Sequence, residues 1–221
     1  LAKDDYSNCI VDACPWLANH TVCDHLVEFD EKNPSQYPIE LQLGFEKICN
    51  YSCTSCDVSN CMKVCDWEVA ERNYKIIEDR LRPVLPYVKK IGANGCGELF
   101  CSKHILKILS EWRPIVPVNE IQVTLETNGS LFDEEHWKQI ENLGQYNLFV
   151  AITIMSFDER TYQYLSGTNL PISNIENNLR FVKRLREKNI INHLQLATVL
   201  QERNFRTLPS FVRRCIDEFG A

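Results

Sequence analysis

The sequence lacks several features that would place it in other classes of protein. No apolar run approaches the roughly 18 residues that a membrane-spanning helix needs, so no transmembrane segment is predicted. Lysine and arginine total 24 against 30 aspartate and glutamate residues, a net charge of −6. That acidic balance gives no reason to expect nucleic acid or a membrane as a partner. No segment is of low complexity, and nothing repeats except a strand–helix unit.

Cysteine, by contrast, is abundant, with 11 among the 221 residues. An odd number cannot pair completely into disulfides, and disulfide-dense proteins are usually small and secreted. Three of the thiols, those of Cys49, Cys53 and Cys56, fall within the short stretch CNYSCTSC. Clustered cysteines in a chain of this size favour a metal or iron–sulfur site. We therefore expect free thiols and a cytoplasmic location.

From Ile39 onward, the pattern of apolar residues alternates between strand and helix periods. Strands are predicted at 39–44, 89–95, 121–129, 147–155 and 193–200, and helices at 68–88, 104–112, 133–144, 173–189 and 208–219. This alternation predicts an α/β fold with a parallel sheet and helices outside it. The first expectation is a partial (β/α) TIM-like barrel, and the alternative is a flat doubly wound sheet. The apolar run at 147–155 indicates a strand covered on both faces.

Composition divides the chain into three parts. Residues 1–30 form a short cysteine-rich segment, residues 31–38 are predicted to be a linker because they are polar with two prolines, and residues 39–221 form the barrel. The sequence begins at Leu1 rather than methionine, and a barrel of five units would leave a strand edge open. We therefore expect a fragment of a longer protein, truncated at the C-terminus.

The clustered cysteines follow the first predicted strand, and β/α barrels carry their catalytic groups on loops at the strand ends. A complete [4Fe–4S] cluster takes four thiolates, so three local cysteines would leave one iron open. An open coordination position is typical of a catalytic metal site. Structural zinc is the alternative, because Cys61 could supply a fourth ligand.

The spacing Cys49-x3-Cys53-x2-Cys56 after a first strand resembles the signature of the radical S-adenosylmethionine (radical SAM) superfamily, and the resemblance extends over residues 39–221. It implies a [4Fe–4S] cluster whose fourth iron binds SAM. It also implies reductive cleavage of SAM to a 5′-deoxyadenosyl radical, which abstracts hydrogen from an unidentified peptide, sugar or small metabolite. An electron donor such as flavodoxin or ferredoxin is implied as a partner. The alternative is a non-catalytic protein that binds a partner and whose fold is stabilised by a zinc ion or an iron–sulfur cluster.

The next two predicted strands end in motifs that also resemble the family. Gly95-Cys96-Gly97-Glu98 is similar to the family's Gly-Gly-Glu segment, which contacts the SAM amino group, although Cys96 interrupts the glycine pair. Asn128, within Glu-Thr-Asn-Gly, resembles the family's ending of the third strand. Without the resemblance, the first motif could be only a turn and a helix start, and the second a plain turn.

Two later segments carry the remaining resemblance to SAM-binding positions. Ser156 and Asp158 resemble a Ser-x-Asp motif near the ribose and carboxylate of SAM, or they could simply cap the helix that follows. The segment from Leu200 to Asn204 falls where the family contacts adenine and ribose.

The sequence departs from the family pattern at two further places. The aromatic residue that the family usually has before the third cysteine is replaced by Ser55, so another residue must pack on adenine, and Tyr51 is the candidate. The sixth strand of the family barrel is missing.

The first part of the chain has its own resemblance. The stretch YSNCIVDACPWL resembles the end of a SPASM-type auxiliary-cluster domain. It implies that Cys9, Cys14 and Cys23 could bind a second iron–sulfur cluster. Of the other cysteines, Cys101 is expected to be a packing residue near the site and Cys215 a core residue of the last helix.

Overall fold

A computed structural model of the chain describes residues 38–56, 67–94 and 97–221. Five parallel strands form one sheet: β1 (Glu40–Leu43), β2 (Lys90–Ala93), β3 (Gln122–Thr127), β4 (Asn147–Thr153) and β5 (His193–Ala197). The helices include α1 (Trp67–Leu81), α2 (Lys103–Glu111), α3 (Glu134–Lys138), α4 (Glu159–Ser166), α5 (Ile172–Glu187) and α6 (Leu208–Asp217). Short 3₁₀ turns lie at Leu85–Tyr87, Leu99–Cys101, Val118–Glu120, Glu141–Gln145 and Phe205–Thr207.

The order of strands in the sheet is β1-β2-β3-β4-β5, the same as their order in the chain. A doubly wound sheet reverses its strand order at a switch point, whereas a β/α barrel adds each strand beside the previous one. The order therefore confirms the α/β prediction and a partial TIM-like barrel, and the doubly wound alternative is wrong. Because every pair is parallel, the loops that follow the five strands all lie at one edge of the sheet.

The main core lies between the sheet and the helices. Its strand residues have essentially no exposed surface: Val123, Leu125, Leu148, Val150 and Ile152. Helix α5 buries Ile175, Leu179 and Val182 against this layer, which confirms the apolar face predicted from their spacing. Full burial of one such side chain stabilises the fold by roughly 1.5–3 kcal/mol. Cys215 on α6 is also buried, as predicted.

On the opposite face, the described residues cover β4 only in part. Phe149, Ala151 and Thr153 alternate with the buried residues of β4 and are half-buried. The prediction that this strand is covered on both faces is therefore confirmed for one face only. Among the described strands, β1 and β5 do not pair with each other, so the sheet does not close.

Prolines and caps set the helix boundaries, and the structure corrects two of them. Helix α1 ends at Leu81, just before Pro83, because proline cannot continue the hydrogen-bond ladder. The helix predicted over 133–144 is instead the short α3 followed by a separate 3₁₀ turn. None of the helices in the described ranges has the length and apolar content needed to cross a bilayer.

A buried polar cluster fixes the loop that follows β1. The Glu46 carboxylate lies 2.5 Å from Nδ1 of His104 and accepts hydrogen bonds from the Ser102 hydroxyl and from the His104 backbone N–H. Nε2 of His104 lies 2.9 Å from the carboxylate of Glu71 on α1, and Tyr74 stacks on the imidazole at 4.3 Å. These contacts tie α1 and α2 to the chain three residues before Cys49.

Candidate active site

The thiols of Cys49, Cys53 and Cys56 lie on one loop after β1 and line one cavity of about 360 Å³. All three are free and half-buried. The other described residues that line the cavity come from the same loop and from the carboxyl ends of β2, β3 and β4: Tyr51, Ser55, Asn94, Gly97, Glu126, Thr127, Asn128, Thr153 and Met155. This is the edge of a β/α barrel at which active sites are found.

The cysteine loop rests on the C-terminal end of α4. The backbone N–H groups of Ser52 and Thr54 donate to the carbonyls of Ser166 and Leu165, at 3.0 and 2.9 Å. These are carbonyls that a helix end leaves without an intrahelical partner. Helix α4 stops at Gly167, whose φ of 60° is left-handed, and a Cβ there would overlap the carbonyl oxygen of Ser52.

Changing Gly167 to alanine should therefore both destabilise the protein and disturb the cysteine loop. The left-handed backbone alone costs an alanine about 1–3 kcal/mol, and the overlap with Ser52 adds about 1–3 kcal/mol. Gly220→Ala is the matched control, because Gly220 also has a left-handed φ of 72° but its Cβ would meet nothing nearer than Lys183 Cε at 4.0 Å. Urea unfolding of both variants measures the difference, and equal losses of stability would show that the close contact with Ser52 is unimportant.

The local environment favours the protonated thiol at Cys49 and at Cys53. Burial raises the pKa of Cys49, and the nearby charges of Glu98 and Cys56 raise it further, although the Tyr51 N–H donates to its sulfur at 3.4 Å. Burial, together with the charges of Cys49 and Cys56, raises the pKa of Cys53 to about 11. A bound metal reverses this preference, because a coordinating thiol is deprotonated outright. Without a metal, Cys49 and Cys53 are therefore poor nucleophiles, because the thiolate is the reactive form.

Glu98 is buried beneath the cavity wall, with 1 % of its surface exposed. Its carboxylate accepts hydrogen bonds from the Thr127 hydroxyl at 2.5 Å, the Asn128 N–H at 2.7 Å and the Phe100 N–H at 3.2 Å. Burial raises its pKa, which these donors partly oppose. The structure thus places Glu98 as a link between the loop after β2 and the end of β3, and not among the cavity-lining residues.

Gly97, next to it, makes a close contact with the cysteine loop. A Cβ on Gly97 would overlap the carbonyl oxygen of Ile48, which also accepts the Glu98 N–H at 2.7 Å. Glycine is therefore required here by the approach of the two loops. Gly97 also lines the cavity, and its predicted contact with SAM stays a prediction.

Asn128 joins the end of β3 to the cysteine loop. Its Nδ2 donates to Oδ1 of Asn50 at 2.9 Å and lies 4.0 Å from the sulfur of Cys49. Its Oδ1 accepts from the backbone N–H and the hydroxyl of Ser130, at 2.9 and 2.6 Å. Helix α5 supports this turn, because the Asn178 amide donates to the Gly129 carbonyl at 2.8 Å. Asn128 is therefore both a cavity residue and a turn residue.

Ser156 and Asp158 have the geometry of a helix cap. The Asp158 carboxylate accepts the Thr161 N–H at 2.9 Å, and the buried Ser156 hydroxyl accepts the Asp158 N–H at 3.0 Å. The hydrogen bond from Thr161 lowers the pKa of Asp158. Neither residue is among those that line the cavity. The capping alternative therefore accounts for the contacts that both residues make.

The segment after β5 contacts the cysteine loop from the other side. Leu200 is 57 % exposed and is not among the residues that line the cavity. The Gln201 amide oxygen accepts the Thr54 hydroxyl at 3.0 Å. Asn204 is buried and donates to the carbonyls of Met155 and Val199, at 2.8 and 3.0 Å. This segment therefore holds the loops after β4 and β5 together beside the thiols.

The side chain of Tyr51, the predicted stacking partner for adenine, is almost fully buried. It is only 5 % exposed, its hydroxyl is hydrogen-bonded to that of Tyr162, and the two rings meet edge to face at 6.2 Å. Burial raises the pKa of both phenols. Little of the Tyr51 ring is exposed for an adenine to stack on, although Tyr51 lines the cavity, and its predicted role stays a prediction.

Several predicted residues lie outside the described ranges and stay predictions. They are Gly95, Cys96, Cys61 and the three N-terminal cysteines Cys9, Cys14 and Cys23. Conversely, Glu46, Asn50 and Gly167 were not predicted as site residues. Their partners His104, Ser130 and Ser52 lie 58, 80 and 115 residues away along the chain, so no local pattern could have revealed them.

Comparison with known proteins identifies the fold but no family. No protein-family model matches the sequence, and no curated protein is significantly similar to it. A crystal structure of SuiB from Streptococcus suis resembles the chain with a TM-score of 0.52 at 15 % identity, covering 82 % of this chain and 37 % of SuiB. A structure of SuiB bound to S-adenosylmethionine gives 0.43 at 15 % identity, covering 81 % and 45 %. The chain thus shares the α/β fold of SuiB and spans less than half the length of that protein.

The arrangement of possible ligands bears on the kind of metal site. Among the described residues, no three histidine, cysteine, aspartate or glutamate side chains are grouped as ligands of one metal ion. The zinc alternative needs Cys61, which lies outside the described residues, so it stays an untested prediction. The cysteines of an iron–sulfur cluster bind different irons, so they need only border a common cavity. Thiolates are the ligands that such clusters prefer, and the three thiols fit that requirement.

Proposed function

We propose that this chain is the catalytic barrel of a radical SAM enzyme. Cys49, Cys53 and Cys56 would hold a [4Fe–4S] cluster, and the cavity beside them would take SAM. One observation carries the proposal: three free thiols from one loop border a single cavity at the carboxyl edge of a parallel sheet. The cavity volume of about 360 Å³ is within the range of small-molecule sites.

When bound, the reduced cluster and SAM supply radical chemistry that removes a hydrogen atom from a substrate. The chain's own contribution is to hold and orient these groups. The Tyr51 N–H donates to the sulfur of Cys49, and the Asn128 amide lies beside it. Hydrogen bonds to the sulfurs are among the factors that set a cluster's reduction potential, so these two residues would adjust it.

The contacts around the loop fix its position before any cofactor binds. Helix α4 holds the loop by Ser52 and Thr54, and the segment after β5 holds it by Gln201. A cofactor site on such a supported loop loses little conformational entropy on binding. This support favours a cofactor site over an incidental group of free thiols.

The remaining parts of the proposal follow the resemblance. The substrate would be a peptide, sugar or small metabolite, and a flavodoxin or ferredoxin would deliver the electron. Cys9, Cys14 and Cys23 would contribute to a second cluster. A reducing cytoplasm would keep all these thiols free.

The direct test is anaerobic reconstitution with iron and sulfide, followed by reduction and incubation with SAM. We expect 5′-deoxyadenosine and methionine to form in equal amounts. A protein that instead carries stoichiometric zinc, takes up no iron and leaves SAM intact would contradict the proposal. SAM cleavage is also measured in a version of the protein extended beyond Ala221. Cleavage that rises with the added residues means that the partial barrel limits activity. Cleavage that stays absent means that the protein lacks this chemistry.

A further inference from the structure

Glu126 is the only charged side chain among the described residues that line the cavity. It is exposed, and in the described ranges no hydrogen bond or ion pair engages its carboxylate. Two other carboxylates at the strand ends, by contrast, have partners: Glu98 accepts from Thr127, Asn128 and Phe100, and Asp158 accepts from Thr161. An unpaired carboxylate in a cavity favours a positively charged ligand group.

The surroundings of Glu126 leave room for such a group. Glu126 pairs with Ala151 of β4, and Ala151 pairs with Gln195 of β5. The inner face of a TIM barrel is normally packed with bulky branched side chains. Here that layer consists of a carboxylate, a methyl group and an amide, so the face beside Glu126 is open and polar rather than a packed core.

Glu126 and the thiols line the cavity from different elements. The three cysteines are on the loop after β1, whereas Glu126 is near the carboxyl end of β3. A ligand held by the loop and a cationic group held by the strand would therefore be bound by separate residues.

We propose that Glu126 is a specificity residue that binds a cationic group, an ammonium or guanidinium, on the substrate. The inference rests on the proposed function and narrows its substrate to molecules with such a group, for example a peptide with a lysine or arginine side chain. The ammonium of SAM is the competing source of positive charge, and the experiment separates the two.

The experiment measures binding to the reconstituted protein under anaerobic conditions, with saturating SAM. The probes are the Nα-acetyl methylamides of lysine, arginine and norleucine, of which norleucine is the neutral analogue. We expect at least one cationic probe to bind ten or more times more tightly than the norleucine probe. Glu126→Gln should remove that discrimination, and Ala151→Leu should weaken all probes by filling the space beside the carboxylate.

Glu40→Gln is the matched control, because Glu40 lies on the same face of the sheet but outside the cavity, where it accepts the Gln42 amide at 2.8 Å. It should keep the discrimination. The inference is overturned if the wild type does not distinguish the probes, if Glu126→Gln still does, or if Glu126→Gln weakens SAM binding tenfold. SAM affinity of the wild type is measured separately, so failure of the proposed function is recognised independently of the probes.

Discussion

Cys49→Ala is expected to lower SAM-dependent formation of 5′-deoxyadenosine by at least about 100-fold, since even residues that only support a metal ligand typically contribute 10–100-fold. Cys49 is the thiol of the trio that also accepts the Tyr51 N–H and neighbours Asn128. Its loss leaves two local ligands, too few to retain the cluster. Iron and sulfide content after reconstitution should fall in parallel with activity.

Cys101→Ala is the matched control for that experiment. Cys101 is also a free, half-buried thiol, and the Asn50 N–H next to Cys49 donates to its sulfur. Burial and the charge of Glu98 raise its pKa to about 12, and it is not among the residues that line the cavity. Cys101→Ala should keep its iron and its activity. Equal losses in both variants would mean that Cys101 is a ligand and that the trio is wrongly chosen.

Glu98→Ala is expected to cost about 3–5 kcal/mol of unfolding free energy. The substitution leaves three buried donors without an acceptor, those of Phe100, Thr127 and Asn128. Each unsatisfied buried donor costs about 1–3 kcal/mol, and the total is reduced where the Thr127 hydroxyl can turn to another acceptor. Chemical denaturation followed by circular dichroism measures the loss.

Asp158→Ala provides the comparison, because Asp158 also accepts a backbone N–H but does so in an exposed helix cap. Loss of such a cap costs about 1 kcal/mol. If Glu98→Ala lowers the free energy of unfolding by no more than Asp158→Ala does, Glu98 does not link the two loops as described. Glu98→Gln addresses the predicted SAM contact: if it folds and binds SAM as the wild type does, the carboxylate does not contact the cofactor.

Local patterns in the sequence were sufficient for the fold. Strand and helix periods depend on burial within each segment, so all five strands could be located, including β3 and β4, with ends that differ by a few residues. The position of the thiols followed from the same reasoning, because the Cys49 loop comes directly after β1. The apolar pattern did not predict that the inner face of β4 is only half-buried, because apolar composition does not show whether a second layer covers that face.

The details of the site depend on contacts between distant residues and could not be predicted. Glu98 follows a glycine-rich turn in the sequence, which is equally typical of a ligand-binding loop and of a buried acceptor. Only the approach of Thr127 and Asn128 distinguishes the two. The same holds for Gly167, whose role depends on Ser52 more than a hundred residues earlier.

The central claim is that the Cys49 loop holds a cluster with an iron that is open to SAM. Electron paramagnetic resonance of the reconstituted, dithionite-reduced protein, with and without SAM, tests it most directly. We expect a [4Fe–4S]⁺ signal that shifts when SAM is added, because SAM would bind the open iron. A cluster signal that is the same with and without SAM would contradict an open iron at this loop.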